Sequence, residues 1–196
     1  MEYKGDNYYI DQVIAGKAIA YSYIIDRHKD KAFNLAFRIC GNREDAEEVA
    51  QDSFLKAYRS IREFRMKSSF STWLFRIVYN TAVSQIRTRK DRTNSLSDYP
   101  SESFEFSGIN EFDEDADREH KKYIVNQALI KLTSEERAII SLYYYDDMSI
   151  DEIAEVTGSG KSNIKVRLFR ARQKMLEIIE KFEKENSVRY ETNTRI

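Results

Sequence analysis

The sequence predicts an all-α protein made of two small helical domains that are joined by an acidic flexible linker. Its 196 residues include one proline and six glycines, so few positions would break a helix. Apolar residues recur at three- and four-residue spacing, and no alternating run is long enough to suggest a sheet. This length suits one ordinary domain or two small ones.

The first helical region is predicted over residues 8–39, and Gly16 is a point where it could break in two. Its expected core residues are Val13, Ile14, Phe33, Leu35, Phe37 and Ile39. Cys40 follows them as the single cysteine, so no intrachain disulfide can form and a reducing cytosol is indicated.

A long amphipathic helix is predicted to begin after Asn42, which can cap it, with Glu44 and Asp45 in the first turn. Its apolar face comprises Ala46, Val49, Ala50, Phe54, Ala57, Tyr58 and Ile61. Its opposite face carries Glu47, Glu48, Gln51, Asp52 and Lys56. Periodicity alone favours a solvated surface there, and an acidic docking face for a basic partner is the alternative.

The next helix is predicted over residues 71–89, in a stretch where basic and aromatic residues interleave. The aromatic side chains are Phe64, Phe70, Trp73 and Tyr79, and the nearby bases are Arg65, Lys67 and Arg76. This combination suits single-stranded nucleic acid, because bases stack on rings and phosphates meet cations. The alternative is that the rings belong to the core, which residue type favours for Phe70 and Trp73.

Residues 93–120 lose the helical periodicity and are predicted to form a mobile linker. They contain the only proline, Pro100. Nine acidic residues and one basic residue give positions 98–119 a net charge of −8, although the whole chain carries only −1. The segment at 65–92 before it has a net charge of +6, from seven basic residues and one acidic residue.

A four-helix C-terminal domain is predicted over residues 121–185, followed by a flexible tail at 186–196. The first two helices carry the apolar positions Ile124, Ala128, Leu129, Leu132, Ala138, Ile139, Leu142 and Tyr143. Ser149 and Glu152 have the spacing of a capping box, which starts a third helix. Gly158 and Gly160 then supply the backbone freedom that a tight turn needs.

The fourth helix combines a narrow apolar stripe with a basic outer surface. The stripe is Ile164, Leu168, Ala171 and Met175, and it must face its own domain. Positions 161–174 hold six basic residues and no acidic one, a net charge of +6. A basic face by itself is usually only solvated. The preceding capped helix and turn instead favour a helix-turn-helix that enters a DNA groove.

In such a unit, the N-terminal residues of the second helix reach base edges while flanking cations hold phosphates. The candidate base readers are Ser162, Asn163, Lys165 and Val166, and the candidate phosphate contacts are Lys161, Arg167, Arg170 and Arg172. Phe169 faces outward and either packs on a neighbouring element or touches a thymine methyl group.

Other classes of function fit the sequence poorly. The run from Gly158 to Ser162 resembles the end of a phosphate-binding P-loop, but the first glycine of that motif is replaced by Glu155 and a helix stands where a strand should lead in. His28 and His120 have no cysteine or histidine at metal spacing, so neither a metal site nor a cofactor is expected. The longest apolar run, at 18–25, is too short to span a membrane.

The motifs of both halves together resemble the sigma-70 family of bacterial RNA polymerase sigma factors, in its small two-domain extracytoplasmic-function (ECF) group. The stretch at 45–54 is similar to the polymerase-docking helix of that group, and 70–74 with Ile77, Asn80, Ala82 and Arg87 is similar to its promoter-melting segment. Leu132, Glu136-Arg137, 149–158 and 164–172 are similar to its minus-thirty-five reader. The two motifs stand in the right order with a linker between them.

The resemblance implies a role for each part. Residues 1–92 would be a region 2-like domain and 121–185 a region 4-like domain. Glu48, Gln51 and Asp52 would bind the clamp helices of the large subunit of core RNA polymerase. The segment at 68–80 would capture a flipped base of the minus-ten element. The expected minus-ten contacts are Phe70, Trp73, Arg76, Asn80, Arg87 and Arg89.

The resemblance further implies a cytoplasmic protein with promoter DNA and core polymerase as partners, no catalytic residues of its own and no membrane insertion. The sequence leaves open whether an anti-sigma factor also binds. Three positions depart from the usual pattern: Thr133, Ser84 and Gly160 stand where a proline, an acidic residue and a Ser/Thr helix cap are common. The alternative function is a free-standing helix-turn-helix regulator that binds an operator as a dimer, which the C-terminal half alone would permit.

Overall fold

The computed structural model describes the backbone of residues 4–93 and 116–193 and the side chains of residues 4–89 and 121–184. The described ranges contain eight α-helices and no strand, which confirms the all-α prediction. The helices are α1 (Asp6–Ile14), α2 (Ala20–Cys40), α3 (Arg43–Ser60), α4 (Phe70–Thr93), α5 (Ala116–Ile130), α6 (Ser134–Tyr144), α7 (Ile150–Thr157) and α8 (Lys161–Asn193). A short 3₁₀ helix (Ile61–Glu63) follows α3.

The first predicted helical region is two helices, and the break lies at Gly16, whose φ of +92° is in the left-handed region. Helix α1 buries Ile10 and Val13 against α2. Ile14 was expected in the core but is 37% exposed, because one further residue along a helix turns the side chain by about 100°. Phe33 and Phe37 are half-buried, and their rings stack 5.8 Å apart.

Helix α3 begins as predicted: the Asn42 side chain accepts a hydrogen bond from the Asp45 amide at 2.8 Å. Its apolar face packs against α2 and α4 with Ala46, Val49 and Ala57 fully buried. Tyr58 was assigned to that face, but it is 41% exposed. Its ring lies at the rim of the core, 4.9 Å from the buried ring of Tyr21.

Two boundaries of the C-terminal half differ from the prediction. Helix α5 begins at Ala116, so residues 116–120 are helical and do not belong to the linker. Acidic composition suggested a linker there, but acidic residues also suit the first turn of a helix. Helix α8 continues to Asn193, so the tail predicted at 186–196 is wrong for 186–193, where no glycine or proline ends the helix. The predicted linker positions 94–115 lie outside the described residues.

The N- and C-terminal halves pack directly on each other. Helix α2 contacts α6, and α4 contacts α7. One buried apolar cluster runs through both halves, from Ile10 in α1 to Ala171 in α8. The fold therefore brings the predicted promoter-melting segment and the first helix of the helix-turn-helix into contact, an arrangement that the sequence did not indicate.

Candidate nucleic-acid interface

The helix-turn-helix begins with the predicted capping box. The Ser149 hydroxyl accepts from the Glu152 amide at 3.3 Å, and the Glu152 carboxylate accepts from the Ser149 amide at 2.9 Å. The Ser149 amide and hydroxyl lower the pKa of the Glu152 carboxyl because they hydrogen-bond its ionised form. Gly158 ends α7 at a φ of +67°, so a residue that tolerates the left-handed region is required there.

The apolar stripe of α8 faces the core and its basic surface faces solvent, as the sequence predicts. Ile164, Leu168 and Ala171 are buried, and Met175 is half-buried against the core. All four candidate base readers, Ser162, Asn163, Lys165 and Val166, are exposed at the start of the helix. Phe169 is 58% exposed on the outer side of the helix. This part of α8 can therefore enter a groove without unpacking the domain.

The cations of α8 divide into two groups. Four have intramolecular partners: Lys161 pairs with Asp151, Arg167 with Glu135, Lys174 with Glu136, and Arg172 lies over the rings of Tyr143 and Tyr144. Lys165 and Arg170 are exposed and make no ion pair or hydrogen bond to any residue whose side chain is described. These two cations can meet phosphate without first leaving a carboxylate, a distinction that the charge count of the sequence could not make.

The predicted minus-ten residues of α4 divide in a similar way. Four of them lie on one helix face, within about 60° of each other at 3.6 residues per turn: Trp73, Arg76, Asn80 and Arg87. Arg89 points elsewhere and pairs with Asp45 at the start of α3, 2.6 Å away. The structure thus gathers the first four into one surface and leaves Arg89 outside it.

The aromatic residues at the start of α4 form a cluster that is mostly internal. The rings of Phe64, Phe70 and Trp73 lie 5.4–5.6 Å from one another. Phe70 is buried, as its residue type favoured, whereas Trp73 is half-buried. His28 packs against Phe70 at 5.3 Å, and burial lowers the pKa of its imidazole, with Asp6 opposing the shift. Only Trp73 among the three rings combines a core contact with access to solvent.

The candidate docking face lies on the exposed side of α3. Glu48, Gln51 and Asp52 all point to solvent, and the Glu48 carboxylate accepts a hydrogen bond from Gln85 of α4 at 2.7 Å. Leu55, one turn further on the same face, is 54% exposed. Sequence reasoning missed Leu55. The sequence did contain the information, because Leu55 is an apolar residue three positions after Asp52 and lies outside the buried stripe.

A buried ion pair connects the halves beside these surfaces. Arg38 of α2 lies 3.7 Å from Asp146, in the segment after α6, and both side chains are at most 6% exposed. The Arg38 guanidinium also lies 4.1 Å from the centre of the Tyr145 ring. Burial raises the pKa of the Asp146 carboxyl from 3.8 to about 6, whereas Arg38 and Lys31 oppose the shift and Asp147 adds to it.

Asp146 should therefore make stability depend on pH with a defined sign. Between about pH 4 and 6 the unfolded chain releases this proton while the folded protein keeps it, so ionisation favours unfolding as the pH rises. In Asp146→Asn this titration is absent. We expect the unfolding free energy of the variant, minus that of the wild type, to rise by about 2–3 kcal/mol over this window.

Urea denaturation at a series of pH values measures this difference directly. His28 also contributes to the pH dependence of the unfolding free energy, but its contribution is the same in both proteins and cancels in the difference between them. A difference that stays constant across the window would contradict the assignment to Asp146.

Other kinds of site find no support in the described part of the chain. No group of three or more His, Cys, Asp or Glu side chains there could hold a metal ion. None of the helices in the described ranges is both long and apolar enough to cross a membrane. Cys40 is half-buried, and burial raises the pKa of its thiol to about 12.

Comparison with known proteins gives matches in both halves. Residues 24–92 match the family profile of Sigma-70 region 2, and residues 123–175 match that of Sigma-70, region 4. The ECF RNA polymerase sigma factor SigW of Bacillus subtilis (strain 168) is 33% identical over 173 residues, which cover 84% of this chain and 91% of SigW. The ECF RNA polymerase sigma-E factor of Haemophilus influenzae is 30% identical over 175 residues, 86% of this chain and 92% of that protein.

Two solved structures share the fold. The sigma factor RpoE from Bartonella quintana, in complex with the anti-sigma factor NepR, superposes with a TM-score of 0.66 at 23% identity, over 82% of this chain and 96% of that one. CnrH, in complex with the cytosolic domain of CnrY, gives a TM-score of 0.64 at 23% identity, over 89% and 97% of the two chains.

Proposed function

The chain belongs to the extracytoplasmic-function group of the sigma-70 family of RNA polymerase sigma factors, and from that premise we propose how its surfaces divide the work of initiation. As a sigma factor, it directs RNA polymerase to promoters. Residues 1–92 form the region 2 domain, residues 121–185 together with the start of α5 at 116–120 contain the region 4 domain, and the linker lies between α4 and α5. The observation that carries the proposal is the occurrence, in one chain, of an exposed acidic face on α3 and an exposed basic face on α8.

The α3 face docks on the clamp helices of the polymerase large subunit. Glu48 and Asp52 supply negative charge, and Gln51 between them supplies an amide that can donate and accept hydrogen bonds. Leu55 adds apolar area at the edge of the same face. A small apolar contact ringed by charged groups is the usual composition of a specific protein interface.

The α4 face contacts the minus-ten element. Trp73 offers a partly open ring for an unpaired base. Arg76, one turn further on, and Arg87, about 21 Å along the helix from Trp73, add charge for phosphates on the same face. Asn80 adds a side-chain amide on the same face. Phe70 supports Trp73 from below because its own ring is buried. Arg89 can join the phosphate contacts only after it leaves Asp45.

The N-terminal part of α8 reads the minus-thirty-five element in the major groove. Ser162, Asn163, Lys165 and Val166 face the base edges, and Arg170 holds a phosphate. The other predicted phosphate contacts, Lys161, Arg167 and Arg172, exchange an intramolecular partner for DNA. Part of their electrostatic gain on binding is therefore offset by the contacts that they give up.

Arg170→Ala should weaken binding to duplex DNA of any sequence and flatten its dependence on salt. Loss of one phosphate contact lowers the slope of log affinity against log salt concentration by about one unit. Fluorescence anisotropy from 50 to 200 mM salt, roughly the range in which such slopes are measured, provides the test. If the variant instead changed only the preference among sequences, Arg170 would be a base reader.

We assign no reaction to this chain, because catalysis belongs to the polymerase, and we place the protein in the cytoplasm, where polymerase works. The solved structure of RpoE is a complex with the anti-sigma factor NepR, and an anti-sigma partner is a further proposal for this chain. The N-terminal half argues against the alternative function, a free-standing dimeric regulator. Such a regulator needs a self-complementary surface, and it has no use for a polymerase-docking face.

Reconstituted initiation tests the function as a whole. Core RNA polymerase, with and without this protein, is offered a library of genomic fragments, and the 5′ ends of the transcripts are sequenced. We expect new start sites that depend on the protein and share sequence near positions −10 and −35. Unaltered initiation on every fragment would refute the proposal.

A further inference from the structure

We propose that His28 is a positioning residue for the minus-ten site: its imidazole holds the buried Phe70 ring behind Trp73, and Asp6 of α1 holds the imidazole. The inference rests on the proposed function, because it concerns how the α4 face is kept in the shape that base capture requires. It also gives a role to α1, which precedes the residues 24–92 that match Sigma-70 region 2.

His28 lies inside the N-terminal half, behind the aromatic cluster of α4. The residue is 6% exposed, and its ring centre lies 5.3 Å from that of Phe70, with the two planes tilted by 58°. The Phe70 ring centre in turn lies 5.6 Å from that of Trp73. Phe70 is buried in a close-packed interior, so it cannot move without displacing one of these neighbours. A displacement of His28 is therefore passed on to the ring that receives the base.

Asp6, the first residue of α1, sets the orientation of the imidazole. The His28 Nε2 atom lies 3.0 Å from the Asp6 Oδ2 atom. A carboxylate only accepts hydrogen bonds, so Nε2 carries a hydrogen and is the donor. Burial lowers the pKa of the imidazole, with Asp6 opposing the shift, so the ring is neutral at pH 7 and this is its single N–H group. A rotation of the ring out of its plane would break this bond.

The Asp6 carboxylate is fixed from its other side by Arg27 of α2. The Arg27 Nη1 atom donates to Asp6 Oδ1 at 2.5 Å, and its Nη2 atom donates to the carbonyl oxygen of Lys4 at 2.9 Å. The Asp6 and Arg27 side chains are both partly buried. Hydrogen bonds between charged groups are shorter and stronger than those between neutral ones. The start of α1 therefore has a defined place on α2, and the His28 ring is aligned by it.

The alternative is that His28 only fills space in the core. An apolar side chain of similar size would fill that space more favourably, because a buried imidazole gives up its hydration for one hydrogen bond. The imidazole adds orientation, because the bond at the end of its ring fixes the plane of the ring. Stacking on Trp73 needs this control, since a binding site has to be held within about 0.5 Å of its productive geometry.

His28→Phe separates these alternatives, because it keeps a ring against Phe70 but removes the bond to Asp6. Holoenzyme reconstituted with core polymerase is titrated with a fluorescent single-stranded minus-ten oligonucleotide, taken from a promoter that the initiation assay identifies. We expect the affinity to fall at least about fivefold, the lower end of the loss for one stacked base. Wild-type affinity in the folded variant would show that His28 only fills space and would overturn the proposal.

Asp6→Ala tests the same connection from α1. Among the described residues, the Asp6 side chain bonds only to Arg27 and His28, so it reaches the α4 face only through α2. We expect a loss of oligonucleotide affinity here too, and His28→Phe combined with Asp6→Ala should lose no more than His28→Phe alone. The matched control is Asp11→Ala, which removes an exposed carboxylate from the same helix and should bind normally. Full affinity in Asp6→Ala, or additive losses in the combined variant, would contradict the role of α1.

Trp73 is the only tryptophan of the chain, so its fluorescence reports on the site directly. In the free protein, His28→Phe and Asp6→Ala should both increase the quenching of Trp73 by acrylamide, whereas Asp11→Ala should leave it unchanged. Unchanged quenching in both variants would overturn the proposal, because the ring would then be held without His28. If His28→Phe does not fold, Asp6→Ala decides by the same two measurements.

Circular dichroism and pull-down of core polymerase establish that each variant is folded and docks. A loss confined to the oligonucleotide then supports positioning, whereas a parallel loss of docking would show general damage to the domain and count against it. Failure of the wild-type holoenzyme to prefer the minus-ten oligonucleotide over a scrambled one would refute the proposed minus-ten site itself. The two failures are therefore distinguishable.

Discussion

The double substitution Gln51→Ala with Asp52→Ala should eliminate association with core RNA polymerase and leave the fold intact. Both side chains are exposed on α3 and neither has a hydrogen bond or ion pair to a described residue. Surface changes of this kind usually alter stability by no more than about 0.5 kcal/mol. In the complex the same groups would lie at the centre of a charged contact, where truncation leaves polymerase cations without partners.

The expected loss is at least about 100-fold in affinity, equivalent to about 2.7 kcal/mol, which is within the range of interface hot spots. Pull-down of core enzyme and surface plasmon resonance measure it, and thermal melting checks the fold. Glu63→Ala is the matched control, because it also removes an exposed carboxylate but from the short 3₁₀ helix and not from the α3 face. Normal pull-down by the double variant would refute the docking assignment.

Neighbouring residues of α8, Ile164 and Lys165, should respond to truncation in opposite ways. Ile164 is fully buried in the helix-turn-helix core, so Ile164→Ala should lower the unfolding free energy by about 2–5 kcal/mol through lost burial and the cavity left behind. Lys165 is exposed and makes no ion pair or hydrogen bond to a described residue. Lys165→Ala should therefore leave stability within about 0.5 kcal/mol of the wild type.

For binding to the minus-thirty-five element, Lys165→Ala should have the larger effect and Ile164→Ala the smaller one. Loss of a base contact by Lys165→Ala should cost about 1–3 kcal/mol, a factor of about 5–150 in affinity, and relax specificity at one position. Ile164→Ala should bind nearly normally at temperatures where it is still folded. Urea denaturation and duplex titration on the same preparations separate the two effects. Loss of stability in Lys165→Ala, or full binding by it, would show that the face of α8 is wrongly assigned.

The local features of the fold could be predicted from the sequence because their causes are local. The caps at Asn42 and Ser149 depend on a side chain and an amide three residues away, and the turn at Gly158 depends on one φ angle. The apolar stripe of α8 follows from helical period alone, and Ile164, Leu168 and Ala171 are buried as it requires. The docking, minus-ten and minus-thirty-five residues came from the same period together with the family resemblance, and they stay predictions until binding is measured.

The wrong predictions concern segments whose structure was inferred from amino-acid composition alone. Acidic residues at 116–120 looked like a linker and are the start of α5, and the polar stretch at 186–193 looked like a tail and continues α8. Thr133, a departure from the usual proline, turns out to cap α6: its hydroxyl accepts from the Glu136 amide while the Glu136 side chain accepts from the Thr133 amide. The spacing of Thr133 and Glu136 contained that information, because it is the spacing of a capping box.

By itself, then, the sequence determined the helices, their caps, their inner and outer faces and the family. Only the tertiary structure decided which charges on those faces are already paired and how the two halves meet. The reason is the distance along the chain over which each interaction acts. A cap joins residues three apart, whereas Arg137 reaches the carbonyl of Ile39 across 98 residues and Ser68 reaches Glu155 across 87. No periodicity reports such pairs, because they form only when two separately folded surfaces are complementary in shape and charge.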